Sequence, residues 1–480
     1  MQLANQTAQI NRKATVTIFI IGAFVTILNQ TLLVTALPHI MQDFDITADQ
    51  GQWLTTAFML TNGILIPITA FLIEKYSTRR LFLFAMITFS IGTLIAAVAP
   101  SFSLLLVARI IQAIGAGIMM PLMQTVFLTI FPPEKRGTAM GMFGLVIAFA
   151  PAIGPTLSGW IVDSFSWHYL FYIVLPIAVI DLILAIFILK NVTTLRESKI
   201  DVLSVIFSSI GFGGILYGFS SAGTNGWVNW EVMGTLGVGA LSLILFIVRQ
   251  LQLEKPLLEF RVFKNFTFTI TTIMGMLVFG LMIGTETILP LYTQNLRDVS
   301  AFHSGLMLLP GAIVMGILSP FVGVIFDKIG AKLLAIVGFL LMTVTTVPFA
   351  FLELDTSLTF IIVIYALRMA GTALVMMPLT TAGINALPNH LIPHATAMNN
   401  TFRQVGGSIG TAILITIMTN TIKYGDFTNP ADAQVTGMGA AFIAAVILSA
   451  IGLILAFFLR KKNDNSKSTS MKTSTTNEEI

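Results

Sequence analysis

Fourteen apolar runs, parted by short polar stretches, fill the chain between Ala14 and Leu459. Each is close to the roughly 20 residues that carry a helix across a bilayer. The pattern predicts spans over 14–37, 53–73, 81–99, 104–131, 139–162, 169–189, 203–221, 233–248, 266–291, 304–326, 333–351, 358–381, 395–419 and 440–459. The first thirteen residues are polar and the run behind them exceeds twenty, too long for the core of a signal peptide, so it reads as a retained first span. An even number of crossings puts both termini on one side. The expected fold class is an all-α integral membrane protein.

One run is unusual. The stretch 144–159, G-L-V-I-A-F-A-P-A-I-G-P-T-L-S-G, carries two prolines and a row of small residues inside an apolar span. Proline removes a backbone donor, while glycine, alanine and serine let a second helix approach closely. Gly144, Pro151, Gly154, Pro155 and Gly159 therefore mark a helix that bends and packs. Broken helices at membrane depth tend to line a pathway; a well-packed kinked helix with no direct role is the other reading.

Composition agrees with lipid: 55% of residues are hydrophobic and 10% charged, against roughly 25% charged in an ordinary globular chain. There is no cysteine, which excludes disulfides, thiolate metal sites and iron–sulfur clusters. Neither GxxxxGK[ST] nor HExxH occurs, so the chain carries no phosphate-binding loop of its own and no zinc-protease motif. The five histidines fall in loops or at span ends without metal-ligand spacing, and no metal site is expected.

The lysines and arginines sort by side. Twenty-two lie at one face, from Arg12 and Lys13 through Lys75, Arg79 and Arg80 to Lys472; Arg403, in the first turns of span thirteen, is counted there as a snorkelling side chain. The other face has only Arg297 and Lys423. Basic residues collect on cytoplasmic loops, so both termini are expected in the cytoplasm. This use of the net +4 leaves no reason to expect a nucleic-acid partner.

The chain also repeats itself. M-M-P-L stands at 119–122 and at 376–379, Arg109 and Arg368 are 259 apart, T-A-M recurs with an offset of 258 and L-P with an offset of 252. Duplication of a six-span unit is a mark of secondary transporters, whose substrate site lies between the halves. The expected organisation is a six-helix bundle over 1–190, an inserted two-helix hairpin over 191–262, a second six-helix bundle over 263–460, and a polar, disordered tail over 461–480.

Two charged turns follow spans two and ten. The second reads G-V-I-F-D-K-I-G-A-K at 323–332; the first, A-F-L-I-E-K-Y-S-T-R-R at 70–80, is more degenerate. In each an acid ends one helix and bases open the next, so the turn can latch neighbouring helices. Glu74, Arg79, Arg80, Gly323, Asp327, Lys328 and Gly330 are candidates for a cytoplasmic gate, with topology charge alone as the simpler reading.

These turns, R-I-I-Q-A-I-G-A-G at 109–117, and the A-P-x-x-G-P-x-x-S-G core of the 144–159 stretch resemble the signatures of the major facilitator superfamily. The proline-glycine core resembles the antiporter motif of its drug:proton antiporters. Fourteen spans, S-W-H-Y-L-F-Y-I-V-L-P at 166–176 and P-L-L-E-F-R-V-F at 256–263 resemble the fourteen-span branch, most of all the lincomycin-resistance-type multidrug exporters of Gram-positive bacteria. The resemblance covers about residues 14 to 460. It implies a multi-pass protein of the bacterial plasma membrane that exports hydrophobic, drug-like compounds against protons. The proton gradient then serves as energy source, no cofactor is needed, and a monomer in the bilayer is the working unit.

The resemblance also implies that Arg109 takes part in proton coupling beside an acid in span one. That acid is missing: Asn29 and Gln30 stand in its place, and amides do not exchange protons. They can orient Arg109 or a water. Only Asp181 and Glu286 are acids clearly inside spans, and intramembrane ionisable groups are functional candidates by default. Glu286, in span nine, the repeat partner of span one, is the expected proton carrier; Asp181 is the second candidate, and a hydrogen bond to a neighbouring helix would explain it as well. Arg368, the mirror of Arg109, could pair with Glu286. The expectation is a drug:proton antiporter rather than an enzyme. An exporter of one endogenous amphiphile is the alternative, separable by a narrow efflux panel; a non-transporting membrane sensor would call for a soluble output domain.

Overall fold

The computed structural model describes residues 11–196 and 200–460; the tail expected over 461–480 lies outside the described residues. All fourteen expected spans are helices long and apolar enough to cross a membrane. They are α1 Arg12–Phe44, α2 Ala48–Lys75, α3 Thr78–Ala97, α4 Phe102–Ile130, α5 Arg136–Ser164, α6 His168–Ile188 and α7 Val202–Asn225. The rest are α8 Trp230–Gln252, α9 Phe266–Asn295, α10 Ala301–Ile329, α11 Ala331–Thr346, α12 Leu358–Asn385, α13 Ile392–Tyr424 and α14 Pro430–Phe457.

Side-chain caps set many of the starts. The Asn11 carboxamide accepts from the Ala14 amide, Thr47 and Gln50 form a capping box, and Ser77, Ser101, Asn265 and Asn429 cap α3, α4, α9 and α14. Several helices outrun the apolar runs. α14 begins at Pro430 rather than near 440, because the Asn429 cap keeps the polar turns of A-D-A-Q-V-T-G helical outside the apolar layer. Between α10 and α11 the chain turns at Gly330 with φ 79°, where a side chain would be strained.

The repeat seen in the sequence is a repeat in packing. In the first half α1 packs on α5, α2 on α4, and α3 on α4 and α6; in the second, α9 packs on α13, α10 on α12, and α11 on α12 and α14. The halves meet along two reciprocal seams, α5 with α10 and α2 with α13, and α4–α13 and α5–α12 add a second reciprocal pair. The inserted α7 and α8 pack on each other, and α7 lies over the α2–α13 seam. Outward faces are apolar, as at Phe187, Leu241, Phe321 and Ile454, as expected of a multi-pass membrane protein.

Candidate functional site

A cavity lies between the halves. Its larger lobe, about 410 Å³, is walled by α1 (Thr31, Thr35, Pro38), α5 (Pro151, Pro155), α9 (Glu286, Pro290, Gln294), α10 and α12, and reaches the ends of α9 and α10 away from the basic face. A deeper lobe of about 170 Å³ is lined by Gln30, Asn62, Phe279, Asn400, Arg403 and Gln404 among others. Thr31, Ile147, Pro151, Met282 and Glu286 border both lobes, so the two adjoin along these side chains. Among the lining residues only Glu286 and Arg403 carry charge.

Glu286, the acid expected from the sequence to carry the proton, thus borders both lobes. Its carboxyl has the Tyr365 hydroxyl as hydrogen-bonding neighbour, and Tyr365 lines the same lobe. Arg368 does not touch it: among the described residues no ion pair within 4.0 Å joins them, although the two charges lie near enough to act on each other. Arg368 Nε donates to Thr346 Oγ1 at 3.1 Å and Nη2 to the Leu281 carbonyl at 2.9 Å, which turns the guanidinium into the second bundle.

Arg109 is its mirror. Nη1 donates to the Asn29 carbonyl at 3.3 Å and to Gln112 Oε1 at 2.9 Å, Nε donates to the Leu54 carbonyl at 3.3 Å, and the group stacks on Phe58 at 4.2 Å. Shifting Asn29 by the L-P repeat offset of 252 lands on Leu281, so both arginines hold the same carbonyl of their respective halves. Arg109 is fully buried and borders neither lobe, so the structure does not bring it to Glu286. The same offset takes Glu286 to Val34, five residues outward of Asn29. Glu286 thus lies more than one turn farther out along its span than the position of the missing acid in span one. Asn29 is buried with its amide facing no hydrogen-bond partner among the described residues, while Gln30 lines the deeper lobe.

Asp181 is also outside the cavity. It is buried in the first bundle, its oxygens make no hydrogen bond among the described residues, and a Cβ on Gly22 of α1 would stand 3.0 Å from Oδ2. The hydrogen bond to a neighbouring helix, the other reading of this residue, is not made.

The stretch 144–159 lies on α5, one continuous helix in spite of its prolines. Near the basic end Gly137, Gly141 and Gly144 pack on α10 at Gly323, Ser319 and Phe326. Farther along, Gly154 packs on Thr31 of α1, Gly159 on Phe302 of α10, and Pro151 and Pro155 face the cavity. The small residues thus seal one end of the seam and widen the other.

The two charged turns act differently from the expectation. Among the described residues Glu74 makes no ion pair within 4.0 Å with Arg79 or Arg80, and both acids reach across to the opposite half. Asp327 reaches across to the start of α5, accepting from Gly137 N and Thr138 N, both at 2.8 Å, and from Thr138 Oγ1 at 2.6 Å. Its repeat partner Glu74 reaches across to the start of α13, where His394 Nε2 lies 3.3 Å from Oε1, and also meets Arg196 at 3.5 Å. The reason is packing: each turn abuts the first turn of the opposite half's seam helix. Arg79 donates to the Ile186 carbonyl at 2.6 Å, closing the end of α6, and Arg80 and Lys328 are exposed. Arg136 completes the closure with 2.9 and 3.0 Å bonds to Asn385 and Asn389. Gln124–Asn400 and Thr125–Thr396 contacts lie just above it. Among the described residues every hydrogen bond between the halves lies toward this basic end.

Sequence reasoning missed Arg403. Counted as a snorkelling residue, it is instead buried on the deeper lobe, because α13 begins at Ile392 and carries it eleven residues into the bundle.

Comparison with known proteins agrees with this architecture. The Major Facilitator Superfamily model matches residues 19–411. An uncharacterized MFS-type transporter of Bacillus subtilis (strain 168), YcnB, is 64% identical over 94% of this chain and 96% of its own length. The lincomycin resistance protein LmrB of Listeria innocua is 43% identical over 92% of this chain and 96% of its own. The solved structure of the human organic anion transporter MFSD10 superposes with TM-score 0.67 over 93% of this chain and all of that one; at 14% identity it speaks for the fold alone.

Proposed function

Since the chain belongs to the Major Facilitator Superfamily and is a transporter rather than an enzyme, we propose that it exports hydrophobic and amphiphilic drug-like compounds from a bacterial cell in exchange for protons. It works by alternating access, as a monomer in the plasma membrane with both termini cytoplasmic. The proton gradient is the only energy source and no cofactor takes part. The export reading is supported by relatives named for lincomycin resistance and, at 29% identity, by the multidrug export protein EmrB of Haemophilus influenzae.

The observation that carries the coupling is the position of Glu286, the one carboxylate on the wall shared by both lobes. A group there meets both the incoming proton and the departing compound. If each weakens the other's binding, linkage makes the gradient drive export. With the basic face in the cytoplasm, the described state is closed inward by Asp327, Glu74 and Arg136 and open outward, ready to release cargo and accept a proton. Rocking along the α5–α10 and α2–α13 seams exposes the same carboxyl to the other side. Arg109, Arg368 and Asn29 hold the bundles that rock, Asp181 stays outside the exchange, and the 1–190 and 263–460 units move while the 191–262 hairpin rides on the α2–α13 seam.

The test is drug uptake into everted vesicles. Wild type should accumulate drug only with an imposed proton gradient, and Glu286→Gln should lose that dependence while still binding drug. Uptake indifferent to an uncoupler defeats the antiport; full activity of Glu286→Gln with loss in Asp181→Asn reassigns the carrier.

A further inference from the structure

Arg403 is the cavity's unexplained charge. It is 4% exposed, and among the described residues its Nε and Nη1 have no hydrogen-bond partner and no carboxylate lies within 4.0 Å. Its remaining contacts are weak: Nη2 stands 4.0 Å from the Met376 sulfur and the guanidinium lies over the Phe279 ring at 4.8 Å. Arg109 and Arg368, fully buried, each give part of the fork to backbone carbonyls and part to a side chain inside a bundle, leaving one nitrogen each, Arg109 Nη2 and Arg368 Nη1, without a partner among the described residues. Arg403 alone borders the cavity.

A guanidinium about 16 Å along a membrane helix is costly unless something answers it. Stacking on Phe279 fixes the plane of the group while leaving its N–H edges for a ligand, and a planar fork matches the two oxygens of an oxyanion. Beside Arg403 the deeper lobe presents four amides, Gln30, Asn62, Asn400 and Gln404, and the hydroxyls of Thr26 and Thr31, which add donors without negative charge; its one acid is Glu286, on the wall it shares with the outer lobe. The outer lobe, bordered by Pro38, Leu308, Met315 and Met369, offers apolar wall for a larger body.

We propose that the deeper lobe is an oxyanion subsite: Arg403 takes the carboxylate, phosphate or sulfate of an amphiphilic substrate whose apolar body occupies the outer lobe. The proposal rests on the export reading for the direction of movement, not for binding. Preferred cargo is then an organic anion, or a zwitterion whose cationic group lies toward Glu286.

The test is equilibrium binding to the full chain in lipid nanodiscs, followed by fluorescence polarisation, with two dyes of one xanthene body: rhodamine 110, which has a free carboxylate, and its methyl ester, rhodamine 123. Wild type should bind the acid about tenfold more tightly than the ester. Arg403→Gln should weaken the acid to the ester's level and leave the ester unchanged, and Arg403→Lys should keep part of the preference, with thermal unfolding of both variants showing a folded chain. A wild type that binds both dyes alike or neither, or an Arg403→Gln variant that keeps the preference or weakens both dyes equally, overturns the proposal. Binding here needs no proton gradient. Loss of the preference leaves the Glu286 exchange standing, and uncoupler-insensitive export leaves the preference standing.

Discussion

Thr138 gives both its backbone N–H and its hydroxyl to one carboxylate oxygen of Asp327, at 2.8 and 2.6 Å, across the boundary between the halves. An anion at a helix N-terminus gains from the dipole as well as from the bonds, about 0.3–2 kcal/mol in the first term alone. These contacts exist only while the basic end is closed. Asp327→Asn should therefore shift the population toward an opening at that end. A loss of about 1–2 kcal/mol corresponds to a roughly 5- to 30-fold change. The chain has no cysteine, so Thr125→Cys, buried against Thr396, provides a single reporter. Maleimide labelling of Thr125→Cys should be several-fold faster in the Asp327→Asn background; an unchanged rate means the cap does not hold the gate.

The same seam can be pried by bulk. A Cβ on Gly141 would stand 2.5 Å from the Ser319 carbonyl oxygen and 2.9 Å from Pro320 Cα, both backbone atoms that cannot turn aside. Gly141→Val should hold α5 off α10 with Asp327 intact, raising Thr125→Cys labelling and cutting transport by about tenfold or more, since small residues are what let such helices touch. Gly226→Ala, on the hairpin and with nothing within 4 Å, is a control for backbone strain at φ 80° without seam contact; it should leave labelling unchanged.

The hairpin closes through Asp201 and Arg249, which form a two-pronged pair at 2.6 and 2.9 Å, and Ser204 joins through Asp201 Oδ2. The hydrogen bond from Arg249 pulls the Asp201 carboxyl down from its ordinary 3.8 to about 2. A depressed carboxyl gives stability that is complete above the ordinary value and lost as the pH falls through the folded one. Asp201→Asn should lower the melting temperature at about pH 5 by on the order of 1 °C, small because the pair is partly exposed. The gap to wild type should close by about pH 2, read by thermal unfolding in detergent.

The sequence carried the helices because apolar length alone sets them, and the lone acid of span nine did mark the cavity. What it could not carry was facing. Asp181 and Glu286 look alike as acids in spans, but one helix face packs against Gly22 and the other opens on the cavity. Glu74 and Asp327 stood out in the sequence as the acids of two charged turns while their partners did not, because His394 and Thr138 come from the opposite half and no local spacing announces them. Arg403 was hidden by its own neighbourhood: N-N-T-F-R-Q reads as the polar end of a span, yet Asn400, Arg403 and Gln404 face an internal lobe rather than the interface.

Arg109 and Arg368 should separate structure from binding. Each satisfies a backbone carbonyl of the first helix of its half, at Asn29 and Leu281, and neither borders the cavity. Lysine keeps the charge but cannot reach Leu54 O, Asn29 O and Gln112 Oε1 with one compact ammonium, and each buried acceptor left open costs about 1–3 kcal/mol. Arg109→Lys should lower thermal stability markedly, with Arg368→Lys close behind, while the folded fraction binds rhodamine 123 as wild type does. A fall in ligand affinity without a fall in melting temperature would move Arg109 from the frame of the bundle to the transport path, and the mirror symmetry of the two arginines would then lose its structural meaning.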